Sequence, residues 1–95
     1  MTSGNSPIPC RSERTAFRLI AGEALVMVIE RSELHRLNAV GARVFELCDG
    51  AKSVDGIAEV IVDEFEVDAA TARADVARFV SDLRAAGAIS FKEST

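Results

Sequence analysis

From Thr15 to Leu37 the apolar positions recur with a period of two, the signature of strands with two distinct faces. Thr15 to Ala21 predicts a first strand, with Phe17 and Leu19 on one face and Arg18 and Ile20 on the other. Gly22-Glu23 stands where a tight hairpin turn belongs. Ala24 to Glu30 predicts a second strand. Its Leu25, Met27 and Ile29 alternate with Val26 and Val28, so both faces are apolar and the strand belongs at the centre of the sheet. Arg31-Ser32-Glu33 reads as a second turn. Leu34 to Leu37 follows as a short third strand, with His35 and Leu37 on one face and Leu34 and Arg36 on the other.

At Asn38 the period changes to 3.6. Asn38 is a suitable N-cap for a helix from Ala39 to about Cys48, with Val40, Val44, Leu47 and Cys48 on its inner side and Asp49-Gly50 as its end. Ser53 caps a second helix, in which Val54, Ile57, Ala58, Ile61 and Phe65 form one apolar stripe. A turn at Val67-Asp68 leads to a third helix, about Ala69 to Ala86, with a stripe of Ala72, Val76, Phe79, Val80 and Leu83. Gly87 ends it, and Ala88 to Phe91 reads as a short closing strand. Residues 1–14, with Ser, Gly, Asn and two Pro, read as a flexible N-terminal tail ahead of a single domain at 15–91. The pattern is an α+β fold: a three-stranded antiparallel sheet followed by three helices, with a helix-turn-helix-like corner.

Composition narrows the functions such a domain can serve. The chain has 95 residues, enough for one core, and that core is small and aliphatic: there are five Phe and no Tyr or Trp. One His and two Cys cannot fill a four-ligand Cys/His zinc site. Fifteen acidic against eleven basic residues, a net charge of −4, argue against a strong nucleic-acid binder. The longest apolar run, Ala24 to Ile29, is six residues, far short of the ~20 that span a bilayer. Met1 to Pro9 lacks the charged and apolar regions of a signal peptide, so the expected location is cytoplasmic, with Cys10 and Cys48 as free thiols.

No catalytic constellation emerges. His35 has no nucleophile or carboxylate in a recognisable motif around it and reads as a strand residue at the sheet edge. Cys48 falls on the inner side of the first helix and reads as core. Gly41, Gly50 and Gly56 are scattered singly and make no phosphate loop. From Ser53 to Ala72 the only charged residues are six carboxylates, which read as a solvated acidic helix face and not as a calcium loop. Arg73, Arg78 and Arg84 on the third helix invite comparison with a DNA-binding winged helix. Asp75 and Asp82 on the same helix, and the acidic helix before it, oppose that reading. The expectation is therefore no catalytic residue, no metal and no cofactor. What burial leaves unexplained is the edge strand Leu34–Leu37. Its unpaired backbone groups can accept an extended peptide as an added strand, with the third helix as the other wall and Arg36, Arg73, Arg78 and Arg84 as a basic rim. A different protein-interaction module, or a DNA-binding winged helix, is the alternative.

Three features in order resemble a known family. Leu37-Asn38 leads into the first helix, Asp49-Gly50 ends it, and Asp75-Val76 with Phe79 and Leu83 marks the third helix, closing on Gly87. This pattern, over about residues 9–91, resembles the pyrroloquinoline quinone biosynthesis protein D (PqqD) family. The resemblance implies a winged helix-turn-helix-like recognition element for ribosomally made, post-translationally modified peptides. Such a domain binds the leader of a precursor peptide as an added strand and presents it to a modifying enzyme, often a radical S-adenosylmethionine enzyme. Carried onto this chain, the resemblance implies a peptide site of Leu34, His35, Arg36 and Leu37 on the strand. On the helix it implies Asp75, Arg78, Phe79, Asp82 and Leu83.

Overall fold

The computed structural model describes residues 7–92. Its elements run β1 (Ile8–Arg11), β2 (Thr15–Ile20), β3 (Glu23–Val28), a single 3-10 turn (Ile29–Arg31), β4 (Glu33–Leu37), α1 (Ala39–Leu47), α2 (Val54–Phe65), α3 (Ala69–Ala85) and β5 (Ile89–Lys92). β2, β3 and β4 form an antiparallel sheet in that spatial order, which puts β3 at the centre as its two apolar faces require. The hairpin turn is Ala21-Gly22 and not Gly22-Glu23, since Ile20 pairs with Glu23. Both turn residues have positive φ, +54° and +82°, the conformation whose twist suits a two-residue hairpin loop.

Each helix begins on a side-chain cap three residues ahead of the backbone N–H it satisfies. Asn38 Oδ1 accepts from Gly41 N at 2.9 Å, Ser53 Oγ from Gly56 N at 3.0 Å, and Asp68 Oδ2 from Thr71 N at 3.2 Å. The helices pack on one face of the sheet. Ala24, Val26 and Val28 of β3 and Leu37 of β4 meet Val44, Phe45, Ile57, Ile61, Val76, Val80 and Leu83 in one core. Phe45 sits at its middle with no exposed surface, although it falls outside the Val40–Val44–Leu47–Cys48 stripe read from the sequence. The aromatic ring is held from two sides: Phe17 of β2 meets it edge-on at 5.0 Å, and the Arg11 guanidinium lies 5.9 Å from its centre. Arg43 of α1 ties to Glu64 of α2 through two hydrogen bonds of 2.8 and 2.9 Å.

The segment expected as a tail at 1–14 contains β1. Residues 1–6 lie outside the described residues, but Ile8–Arg11 pairs antiparallel with β5, Pro9 opposite Phe91. β1 is gripped on its other side by the loop after α1: Arg11 N donates to Cys48 O, Gly50 N to Pro9 O, and Val54 N to Pro7 O. Arg11 Nη1 also reaches the carbonyl oxygens of Phe45 and Glu46, two of the groups an α-helix leaves unpaired at its end. The closing strand is present, shifted one residue to Ile89–Lys92. It joins β1 in a separate two-stranded sheet, not the three-stranded one. Cys10 and Cys48 are both free thiols.

Candidate functional site

β4 is bonded to β3 on one side only, and among the described residues no strand takes its other edge. α3 is fastened alongside that edge at two points. Just before β4, Arg31 Nη1 donates to Ala85 O at 2.8 Å, and its guanidinium also lies over Gly87. Just after β4, the Phe79 ring of α3 presses on Gly41 of α1, where an added Cβ would stand 2.6 Å from Phe79 Cε1. The absence of a side chain at Gly41 is what lets the ring lie there. β4 runs toward α1 while α3 runs from Phe79 to Ala85, so the two elements lie antiparallel on either side of a seam.

The nine residues read from the sequence distribute unevenly around this seam. Leu34 is 60% exposed. Arg36 shares its face of the sheet, pointing away from the helices, because Leu34 stands opposite Met27 and Arg36 opposite Leu25. His35 is half-buried on the helix side, and its Nε2 lies 3.2 Å from Glu33 Oε1. On α3, Asp75 is half-buried, Arg78 and Asp82 are exposed, and the Arg78 guanidinium sits 5.6 Å over the half-buried Phe79 ring. Leu37 and Leu83, 8% and 3% exposed, belong to the core. Neither side chain is presented at the surface of the seam.

The basic rim read from the sequence is smaller than expected. Arg84 lies 5.0 Å over the Phe91 ring of β5, on the opposite side of α3 from the seam, and Arg73 shares that face by the helical period. Arg84, Phe91, Val54, Val80 and Ala77 line a cavity of about 640 Å³, which α3 separates from β4. Of the four arginines Arg78 stands at the seam, and Arg36 belongs to its strand but points to the outer face of the sheet.

Sequence reasoning missed the residues that build the site without lining it. Arg31 reads as a turn residue, and Gly41 as one of several scattered glycines. Their roles depend on contacts with α3 about forty to fifty residues away, for which no local signal exists. Cys48, buried at the end of α1, has its thiol pushed up to about 12 by burial, against a smaller opposing pull from Arg11. It is an inert core thiol at neutral pH. No helix among the described residues is long and apolar enough to cross a membrane.

Residues 23–89, more than half of the chain, match the family described as Coenzyme PQQ synthesis protein D (PqqD). Among curated proteins none matches the sequence. Two solved structures share the fold. TbiB1 in complex with the TbiA(beta) leader peptide superposes with a TM-score of 0.78 at 22% identity, covering 90% of this chain and 99% of that one. Lasso peptide synthetase B1 complexed with the leader peptide superposes at 0.76 and 18% identity, covering 87% and 98%. The chain belongs to the PqqD family, and at these identities the two structures establish its fold.

Proposed function

We propose that this PqqD-family chain is a non-catalytic peptide chaperone of the cytosol. It binds the leader of a ribosomally made precursor peptide and presents the peptide to a modifying enzyme, of which the radical S-adenosylmethionine class is our first candidate. The observation that carries this reading is the unpaired edge of β4 lying beside α3. An extended peptide entering the seam adds a fourth strand, gaining main-chain hydrogen bonds from Leu34 to Leu37 and side-chain contacts from His35, Asp75, Arg78, Phe79 and Asp82. Those contacts offset the ordering entropy of a flexible leader, and tethering raises the concentration of the attached core peptide at the enzyme. Arg36 and Arg78 favour acidic residues in the leader. The leader-bound state of the two solved chains of the same fold supports the assignment.

The test is a titration of isotope-labelled protein with synthetic peptides covering the N-terminal parts of the short reading frames that neighbour its gene. Amide shifts concentrated in β4 and α3 are expected. Arg78→Glu, an exposed position, should weaken leader binding at least tenfold while leaving the melting temperature within a degree or two (~0.5 kcal/mol or less for a surface substitution). Shifts centred instead on Val54, Ala77 and Phe91 would move the site to the large cavity. Salt-sensitive binding to duplex DNA without leader binding would replace the peptide reading with the winged-helix alternative.

A further inference from the structure

The face of the sheet turned away from the helices has no cover. Across it, Arg18, Leu25 and Arg36 stand in one row, paired strand to strand, and Ala16, Met27 and Leu34 in the next. Ile20 continues the face at its β2 end, opposite Glu23. Ile20 is 51% and Met27 37% exposed. A hollow of about 420 Å³ opens here, floored by Leu25 and Met27 and rimmed by Arg18, Ile20 and Leu34. Neither Arg18 nor Arg36 has an ion-pair partner among the described residues; the face's one described carboxylate, Glu23, stands at its end opposite Ile20 and forms an ion pair with neither. An exposed apolar surface carrying two uncompensated guanidinium groups is unusual in a chain whose net charge is −4.

We infer that this outer sheet face docks a second protein, one presenting an apolar centre flanked by carboxylates. Resting on the function proposed above, that protein is the enzyme that acts on the bound peptide. Charge complementarity selects the partner's chemistry: carboxylates on either side of an apolar knob would meet Arg18 and Arg36 across Leu25. The same pattern disfavours a second copy of this chain. A two-fold self-contact about the Arg18–Leu25–Arg36 row sets arginine against arginine, with only Glu23 at the end of the face to relieve two guanidinium groups on each copy. It disfavours a lipid surface as well, because the acidic remainder of the molecule is repelled by anionic headgroups.

The position of the face gives the docking a consequence. Leu34 and Arg36 belong both to the face and to the edge strand that takes the peptide. Side chains alternate along a strand, so a peptide added to β4 places every second side chain on the outer face, level with Leu34 and Arg36. An enzyme seated on this face therefore touches the peptide directly, and the remaining leader side chains are left for α3.

The test uses the whole chain, each peptide-modifying enzyme found encoded in its gene neighbourhood, and two substitutions outside the proposed peptide seam, Arg18→Glu on β2 and Met27→Glu on β3. Calorimetric titration of the enzyme into the protein without peptide is expected to bind. Each variant should weaken that binding at least tenfold. Leader affinity, measured separately on the same variants, should change less than twofold, which also certifies their fold. Enzyme affinity unchanged by both variants, or no binding to the wild-type chain, overturns the inference. So does self-association in sedimentation that Arg18→Glu abolishes, or flotation with phosphatidylglycerol vesicles that it abolishes. If the wild-type chain binds the enzyme but not the leader, the docking face stands and the peptide reading falls.

Discussion

At Gly41 two tendencies meet. Glycine inside a helix costs on the order of 1 kcal/mol relative to alanine, yet here it lets the Phe79 ring lie against the α1 backbone and hold α3 beside β4. Alanine at this position would recover the helix propensity and lose the fit, since its Cβ would stand 2.6 Å from Phe79 Cε1 and the half-exposed ring would have to swing outward. The two substitutions Gly41→Ala and Phe79→Ala should therefore be strongly non-additive. With the ring gone, Gly41→Ala should stabilise the protein by about 1 kcal/mol. With the ring present that gain should be cancelled or reversed, giving a coupling of about 1 kcal/mol or more in a urea-denaturation double-mutant cycle. Additive effects would mean that the ring does not rest on Gly41 in solution. Ala21 shows a second cost of this kind: its φ of +54° is a conformation that side chains other than glycine, asparagine and aspartate rarely adopt, and the hairpin imposes it.

Elements whose signal is local were legible, and elements whose signal is distant were not. α2 follows from a capping serine and an apolar stripe contained within its own residues, and Ile57 and Ile61 are indeed buried. β3 follows from its two apolar faces, and the alternation of β4 correctly turned Leu37 inward and Leu34 outward. β1 was invisible because its partner, β5, lies at the other end of the chain, and because Pro7 and Pro9 make residues 7–11 read as irregular. Phe45 escaped the stripe of α1 because its burial comes from Phe17 and Arg11, on two other strands, as much as from its own helix. Around the candidate site, the edge position of β4 was legible from its alternation, but the placement of the arginines was not. Helical phase sends Arg73 and Arg84 to the far side of α3. The placement of β4 and α2 can be checked at Leu37 and Ile57, which anchor one strand and one helix in the same core. Replacing either with alanine should lower unfolding free energy by about 2–5 kcal/mol. A loss well below that in chemical denaturation would misplace the element concerned.

For the whole molecule, the distribution of charge sets a pH dependence with a definite sign. Three carboxyl groups are held below their ordinary range by the fold. For Asp49 the main cause is the Ala51 backbone N–H, for Glu64 the Arg43 guanidinium, and for Asp68 the Thr71 hydroxyl and N–H at the start of α3. A carboxyl group whose folded pKa lies below its unfolded value favours the fold when ionised. The contribution is complete above the unfolded value, near 4, and is lost as pH falls through the lower folded value. Stability should therefore be flat with respect to these groups from pH 7 to about pH 5 and fall progressively below pH 4. All three groups are at the surface, so the slope should be modest and blunted by salt. Asp68→Asn retains an acceptor for the Thr71 N–H but removes the charge, and should flatten part of the acid limb while leaving α3 capped. Urea midpoints at pH 7, 5 and 3 for the wild type and this variant decide the matter. An identical acid limb in both would remove Asp68 as a contributor. Stability rising on acidification would mean that relief of the −4 net charge outweighs the three fixed carboxylates.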